Sequence, residues 1–349
     1  MFKKIQVILI YNLSIVLFFM CLFGGYFYFR YSNQIAHLSI QKLEYTNQMM
    51  IEKVSNYLMP AIKMSETSAY LFENYVLYYT LPLQLEFYTL SLVKSFPQLS
   101  ASYFGDHNGN FIMTKRLLDQ TFETTLIDSL KQQTIVKNYN LFNEKIGLTS
   151  KSSVTFDPRK RPWYNGAKER QYWTDVYTFY SDKNLGITAS YPIFNQQDQF
   201  HGVFGIDIRL KKIEEFLTEH YFLKNASVFI VNEDYDIIIY PKSGFFSSGD
   251  LFPIQYINQR VVDGVVRLKQ LNHLHTKVKF RYDGNQFYAI YSAFPKSLGK
   301  DWRVVTIIHE DDLTLSQFAN KSLMISMFLF IVLFTGCSGV LFFNKIRST

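Results

Sequence analysis

The sequence predicts a mixed α/β protein in which a long N-terminal helix leads into two α/β lobes on antiparallel sheets, with an apolar span at each end. Three observations support this prediction. They are two uncharged stretches of membrane-spanning length, a 3.6-residue apolar period after the first of them, and two similar strand–turn–strand patterns further along. The 349 residues are 48% hydrophobic and 19% charged, which excludes a disordered chain and a coiled-coil rod.

The two uncharged stretches are Ile5–Phe29 and Ser322–Phe343. Each exceeds the roughly 20 residues that a helix needs to cross a bilayer. The first is also longer than the apolar part of a signal peptide, about 7–15 residues, so we expect an uncleaved anchor. Four basic residues lie at the outer ends of these stretches: Lys3, Lys4, Lys345 and Arg347. Their charge favours the cytoplasm for both chain ends and the outside of the cell membrane for the middle segment.

After the first span, apolar residues recur on one helical face: Leu43, Met50, Val54, Leu58 and Ile62. We therefore expect a stalk helix from Arg30 to about Thr80, with a kink at Pro60. The sequence Thr80-Leu81-Pro82 should end it, and a second helical stretch should run to about Phe96.

Beyond the stalk the apolar period changes to two. Residues 99–104 and 110–115 flank a turn-rich sequence, and residues 227–232 and 237–240 flank another, so each pair predicts a hairpin. The run Gly202–Phe216 also resembles Arg303–Phe318, since each passes from a β-rich segment into an amphipathic helix. An internal duplication explains both similarities and predicts two lobes.

These patterns divide the chain into seven segments. We expect a cytoplasmic N-terminus (1–4), a transmembrane helix (5–29), stalk helices (30–89), a first lobe (90–221), a second lobe (222–312), a helix continuing into the second transmembrane span (313–343) and a short cytoplasmic tail (344–349).

Charge and cysteine content restrict the partners of the middle segment. The formal net charge is +7, and the four basic residues of the chain ends leave +3 for the rest, which argues against nucleic acid as a partner. Cys21 and Cys337 both lie in the apolar stretches, so we expect neither a disulfide nor a thiol ligand outside the membrane. His273 and His275 lack a third ligand nearby, so we expect no metal site and no cofactor.

The most informative run is Asp157–Tyr164 (DPRKRPWY), followed by Trp173–Tyr177 and by Gly205–Ile208. A guanidinium can grip a carboxylate, and a carboxylate can hold an ammonium, so Arg161 and Asp207 together match a zwitterion. Aromatic side chains would line the space between them.

Structural roles are the alternative for the same residues. Arg161 could pair with Asp157, Trp163 could belong to the core, and Asp207 could cap the helix that follows. The residues alone leave these alternatives open.

The DPRKRPWY run, the later Trp-Thr-Asp-x-Tyr and the Gly-x-Asp-Ile strand resemble the double Cache domain, an extracellular sensor module of bacterial membrane receptors. The resemblance covers nearly the whole chain. It implies two PAS-like lobes, a small ligand in the membrane-distal lobe (90–221), a membrane-proximal lobe (222–312) and a homodimer.

One branch of that family binds amino acids, and its ligand-binding residues match this sequence. By this resemblance Arg161 and Trp163 hold the ligand carboxylate, Tyr164 and Tyr177 contribute phenol groups, and Asp207 holds the amine. Phe156 stands where the branch usually has a Tyr, so one hydroxyl is lost. A related amine or a carboxylate without an amine is the alternative ligand.

The function expected from these features is that of a two-pass membrane sensor with a periplasmic or extracellular ligand-binding domain, and not that of an enzyme. No P-loop, HExxH, G-x-S-x-G or kinase signature is present in the sequence. Six residues after Phe343 are too few for an effector domain, so we expect a separate cytoplasmic signalling partner. The alternative is an output-less receptor that serves as a structural partner of a separate kinase or chemoreceptor.

Overall fold

The computed structural model describes residues 2–142, 144–151, 154–219, 226–241, 259–270 and 277–310, with the single positions 312, 325, 329 and 332. The helices within these residues are α1 (Phe2–Glu73), α2 (Pro82–Ser95), α3 (Pro162–Gly166), α4 (Lys211–Glu219) and α5 (Gln259–Gln270). The strands are β1 (Ala101–Asp106), β2 (Phe111–Arg116), β3 (Phe122–Asp128), β4 (Gln133–Tyr139), β5 (Lys145–Lys151), β6 (Tyr172–Trp173), β7 (Tyr177–Thr178), β8 (Leu185–Phe194), β9 (Phe200–Arg209), β10 (Ser227–Val231), β11 (Ile237–Ile239), β12 (Lys277–Tyr282), β13 (Asn285–Ala293) and β14 (Arg303–His309).

Helix α1 continues without interruption from the first apolar stretch through the predicted stalk. The apolar positions predicted to share one face of it are all buried, which confirms the helical period. Pro60 lies inside α1, so the helix extends past the residue at which we expected a kink. It ends at Glu73, earlier than the predicted Thr80, and Tyr75 then takes a left-handed φ of 55° that turns the chain away.

The first lobe is built on a nine-stranded sheet in the order β5-β4-β3-β2-β1-β9-β8-β6, with β7 paired to β8. Every pairing in it is antiparallel, and β1 with β2 forms the first predicted hairpin. Helices α1 and α2 contact this sheet. Because successive side chains of a strand point to opposite faces, the residues that meet the helices alternate with residues facing the other side.

The second lobe is built on a five-stranded antiparallel sheet in the order β11-β10-β14-β13-β12, against which α5 packs. Strands β10 and β11 form the second predicted hairpin. In both lobes the first strand of the hairpin also pairs with the last strand of the lobe, β1 with β9 and β10 with β14. This shared connectivity agrees with the predicted duplication. The helix expected after β14 lies almost wholly outside the described residues.

One apolar core joins α1 to both sheets. It includes Leu58 of α1, Ile206 of β9 and Val304 of β14, all fully buried. A hydrogen bond of 2.7 Å from the Thr306 hydroxyl to the Asn47 side-chain oxygen adds a polar contact between α1 and the second sheet. From Ile40 to Phe72, α1 is therefore packed against the two sheets.

Over the described part of the chain, no helix meets the combined length and apolarity needed to traverse a bilayer. The second expected span, within 313–343, lies almost wholly outside the described residues. Membrane anchoring stays a prediction from the sequence.

Candidate functional site

The segment before α3 is ordered by its own residues. Pro158 and Pro162 each begin a helical turn, where a fixed φ is favourable and no amide donor is needed. The Asp157 carboxylate accepts hydrogen bonds from the backbone amide of Arg159 at 3.0 Å and from its guanidinium at 2.9 and 3.0 Å. Arg159 thereby lowers the pKa of Asp157. The alternative pairing of Asp157 with Arg161 is therefore wrong, since Arg159 takes that carboxylate.

Arg161 is held by aromatic rings. Its guanidinium carbon lies 4.7 Å from the centroid of the Phe156 ring and 4.4 Å from that of Tyr180. Its Nε–H is buried without an acceptor, and no described carboxylate lies within ion-pair distance of it. The side chain is thus a cation held in place by aromatic rings, without a partner carboxylate among the described residues.

A cavity of about 540 Å³ opens beside Arg161 on the face of the first sheet away from α1 and α2. Alternate residues of β2 and β3 form its floor, as expected for one face of a sheet. The cavity is lined by Tyr103, Phe111, Met113, Lys115, Glu123, Thr125, Ile127, Thr134, Lys151, Thr155, Phe156, Arg161, Pro162, Trp163, Tyr177, Thr178, Phe179, Tyr180, Ser181 and Asp207. Five of the six residues predicted from the sequence are among them, and Tyr164 is the exception.

Asp207 lies on the central strand β9 and is 4% exposed. One of its carboxylate oxygens accepts hydrogen bonds from the hydroxyls of Tyr103 at 2.5 Å and Thr188 at 2.6 Å. The Tyr177 hydroxyl is 2.7 Å from that of Thr188 and extends the network. Asp207 does not cap α4, because Leu210 supplies the carbonyl that accepts the first amides of that helix. The capping alternative is therefore wrong.

Burial raises the pKa of Asp207 to about 7, although the hydrogen bonds from Thr188 and Tyr103 act in the opposite direction. Burial, and then the Asp207 charge, raises the pKa of Tyr103 well above its ordinary value. Burial likewise raises the pKa of Tyr177. Both phenols therefore remain protonated donors at neutral pH, beside a carboxylate that is close to its midpoint.

Gly205 explains the glycine of the Gly-x-Asp-Ile strand. It pairs directly with Tyr103 across β1 and β9 and lies two residues before Asp207, on the same face. A Cβ atom built at Gly205 would be 2.2 Å from a ring carbon of Tyr103. Glycine at this position therefore leaves room for the Tyr103 ring, whose hydroxyl reaches Asp207.

The neighbours Trp163 and Tyr164 point to different places. Trp163 lines the cavity and is 3% exposed, and its ring centroid is 4.7 Å from that of Tyr103, so it is both core and cavity wall. Tyr164 packs edge-on against Trp163 and Phe200, away from the cavity. Its hydroxyl is buried without a partner in the described structure, and burial raises its pKa to about 12.

Several residues that line the cavity or lie behind its lining had not been predicted from the sequence. Tyr103 and Thr188 form the Asp207 network, and Tyr180 covers Arg161. Lys115 and Glu123 form a salt bridge of 2.8 Å in the cavity wall. Lys115 and Glu123 are directly paired across β2 and β3. The only signal for this salt bridge in the sequence was that opposite charges fall at matching positions of the two strands.

Metal ligands do not cluster in the described ranges, where no group of three or more His, Cys, Asp or Glu residues could hold an ion. His273 and His275 lie outside those ranges, so the structure does not test the expectation for them.

The chain is similar to known domains in sequence and in fold. The profile of the Cache domain family, dCache_1, matches residues 32–316. A search of curated proteins gave no match.

Three solved ligand-binding domains share the fold at low sequence identity. The Campylobacter jejuni chemoreceptor Tlp3, in complex with 4-methylisoleucine, has a TM-score of 0.53 and 12% identity, over 80% of this chain and 94% of that one. The Pseudomonas aeruginosa amino-acid chemoreceptor PctC, in complex with GABA, has a TM-score of 0.52 and 16% identity, over 77% and 98%. The Pseudomonas fluorescens chemoreceptor CtaA, in complex with L-isoleucine, has a TM-score of 0.50 and 16% identity, over 81% and 98%.

Proposed function

The chain belongs to the Cache domain family, and on that premise we propose that it is a membrane-anchored extracytoplasmic sensor whose first lobe binds an amino acid. The ligand would occupy the cavity beside Arg161 and Asp207. A conformational change would then pass through the stalk helix to the membrane.

The observation that supports this proposal most strongly is that an unpaired guanidinium and a buried carboxylate line one cavity. Arg161 would bind the ligand carboxylate through a charge-assisted, two-pronged hydrogen bond. Asp207 would bind the ammonium, which would favour its charged form and lower its raised pKa. A ligand with both groups satisfies both ends of the cavity.

The remaining wall suits the body of such a ligand. Trp163, Phe156 and Phe111 offer apolar surface, while the Lys115–Glu123 pair offers polar groups further along the sheet. A cavity of about 540 Å³ falls in the range of small-molecule sites, roughly 300–1,000 Å³. A related amine or a simple carboxylate would satisfy only one of the two charged residues.

Signal transmission is the second part of the proposal. Because α1 packs against both sheets, a shift of the first lobe would act on the helix directly. A ligand produces such a shift only through different affinities for two states. We further propose anchoring through 5–29 and 313–343, a homodimer, and output through a separate cytoplasmic signalling protein.

The test is calorimetric titration of the full-length chain, purified in detergent, with a panel that includes L-isoleucine, L-arginine and GABA. We expect one or more of these ligands to bind at one site per chain. Arg161→Ala should abolish that binding, whereas Arg159→Ala is a matched control because Arg159 is exposed and pairs with Asp157. The absence of binding by the whole panel, or equal binding by Arg161→Ala, would contradict the proposal.

A further inference from the structure

A second cavity, of about 620 Å³, lies where the stalk helix meets the start of α4 and the end of β2. It shares no lining residue with the first cavity. Its lining contains five cationic side chains and one carboxylate: Lys53, Arg116, Arg209, Lys211, Lys212 and Glu215. We call this set the basic pocket.

Two of the five cations are neutralised within the protein. Arg209 forms a 2.6 Å salt bridge to Asp182, and Lys212 forms one of 2.7 Å to Glu215. Within the described part of the chain, Arg116 and Lys211 have no such partner. The pocket therefore keeps an excess of positive charge after its internal pairs are formed.

Arg116 shows this excess most clearly. Its guanidinium bonds the backbone carbonyl of Val93 and lies 5.1 Å from the Phe122 ring centroid, while its Nε–H is buried without an acceptor. Burial lowers the pKa of Arg116, and the neighbouring charge of Arg209 lowers it further. Arg116 and Arg209 therefore repel each other, and an anion bound in the pocket would reduce that repulsion.

The helix that borders the pocket adds to its positive potential. Lys211 and Lys212 occupy the first turn of α4, a nine-residue helix, where the helix dipole favours negative charge. Lys53 of α1 and Lys212 both approach the ring of Phe216, with Nζ 4.5 and 5.6 Å from its centroid. Ammonium groups from two different helices thus converge on one wall.

We propose that the basic pocket is a second ligand site, and that it binds a multivalent oxyanion of the phosphate class. A phosphate carries more acceptor oxygens and more negative charge than a carboxylate, so it can meet cationic donors from several directions at once. Because its partners come from α1, β2 and α4, the bound anion would fasten the stalk helix to the first lobe. This site is independent of the amino-acid proposal, since its cavity and residues are different.

The probe is inorganic phosphate, titrated calorimetrically into the full-length chain in a phosphate-free buffer of low ionic strength. We expect saturable binding at one site per chain, with competition by sulfate but not by chloride. Lys211→Ala should weaken the affinity about tenfold or more, because it removes an unpaired, solvent-facing cation. Arg116→Met should weaken it further.

Lys168→Ala is the matched control, since Lys168 is exposed and lies outside the pocket, and its phosphate affinity should be unchanged. Lys211 is exposed as well, so Lys211→Ala keeps the test valid even if Arg116→Met fails to fold. No saturable binding at millimolar phosphate, or equal binding by Lys211→Ala and Lys168→Ala, would overturn the proposal. Retained amino-acid binding by Lys211→Ala would show that the two sites are separate.

Discussion

The hydroxyl of Tyr103 donates a 2.5 Å hydrogen bond to the carboxylate of Asp207, and the two residues come from adjacent central strands of the first sheet. The bond exists because Gly205 leaves room for the tyrosine ring over β9. It orients the carboxylate toward the cavity and fixes the phenol as a donor. Three of the predictions below depend on this arrangement.

Amino-acid affinity should fall as the pH decreases below about 7. Burial raises the pKa of Asp207 to about 7, so the carboxylate that would bind the ammonium is increasingly protonated below that value. The expected loss approaches tenfold per pH unit. Calorimetry with the best ligand of the panel, on both sides of neutrality, measures it. Asp207→Asn should bind weakly at every pH, and a wild-type affinity that does not change with pH would contradict the assignment of Asp207.

Gly205→Ala should reduce ligand affinity without touching the ligand. The added methyl group would lie 2.2 Å from a carbon of the Tyr103 ring, so the ring must move and its bond to Asp207 must lengthen or break. We expect a loss of about tenfold or more, the effect of one buried charge-assisted hydrogen bond. Titration of the folded variant, checked by circular dichroism, is the measurement. Tyr103→Phe should have a similar effect, and unchanged affinity in both variants would refute the network's role.

Asp207→Asn should stabilise the ligand-free protein above neutral pH. The pKa of Asp207 is higher in the folded state than its ordinary value of 3.8, so the folded state binds this proton more tightly. The stability that it contributes is present at low pH and is lost as the pH rises from about 4 to about 7. The variant lacks this loss, which amounts to at most about 4 kcal/mol.

The measurement is the melting temperature of each variant at a pH above neutrality. Asp182→Asn is the control, because it is expected to change the melting temperature in the opposite direction. Burial acts to raise the pKa of Asp182, but hydrogen bonds from Asn184 and Arg209 outweigh it and the net shift is downward. Its ionised form therefore stabilises the fold, and its removal should lower the melting temperature. An Asp207→Asn variant less stable than wild type above neutral pH would contradict the prediction.

Arg161→Lys should bind the ligand at least about tenfold more weakly than wild type, despite the conserved charge. A lysine lacks the planar fork that grips a carboxylate and cannot stack in the same way between Phe156 and Tyr180. Titration of this variant beside Arg161→Ala separates charge from geometry. Wild-type affinity in Arg161→Lys would show that charge alone is sufficient.

The two charged residues that line the candidate site were predicted from the sequence, but the side chains that position them were not. Arg161 and Asp207 lie in short recognisable runs. Tyr103 and Thr188, in contrast, reach Asp207 through the register of β1 and β8 with β9, and pairing between distant strands leaves no local pattern. Tyr180 lies in the turn after β7 and covers Arg161 only in three dimensions.

The sequence also does not show which of two neighbouring residues faces the cavity. Adjacent residues of the short helix α3 are rotated by roughly 100° from each other, so Trp163 faces the cavity while Tyr164 does not. In the same way, Arg159 and Arg161 both lie close to Asp157 in the sequence. The local backbone conformation brings Arg159 into the salt bridge with Asp157. The cations of the basic pocket come from α1, β2, β9 and α4, so no local pattern in the sequence brings them together.

The uninterrupted helix α1 has a mechanical consequence. Its 72 residues span roughly 108 Å at 1.5 Å per residue, and both sheets pack against its C-terminal half. Each residue inserted near Arg30 would rotate the N-terminal end of α1 by about 100° relative to the sheets. Seven inserted residues would nearly restore the original angle. An inserted residue would therefore change the angle between the two ends of α1 as well as the distance between them.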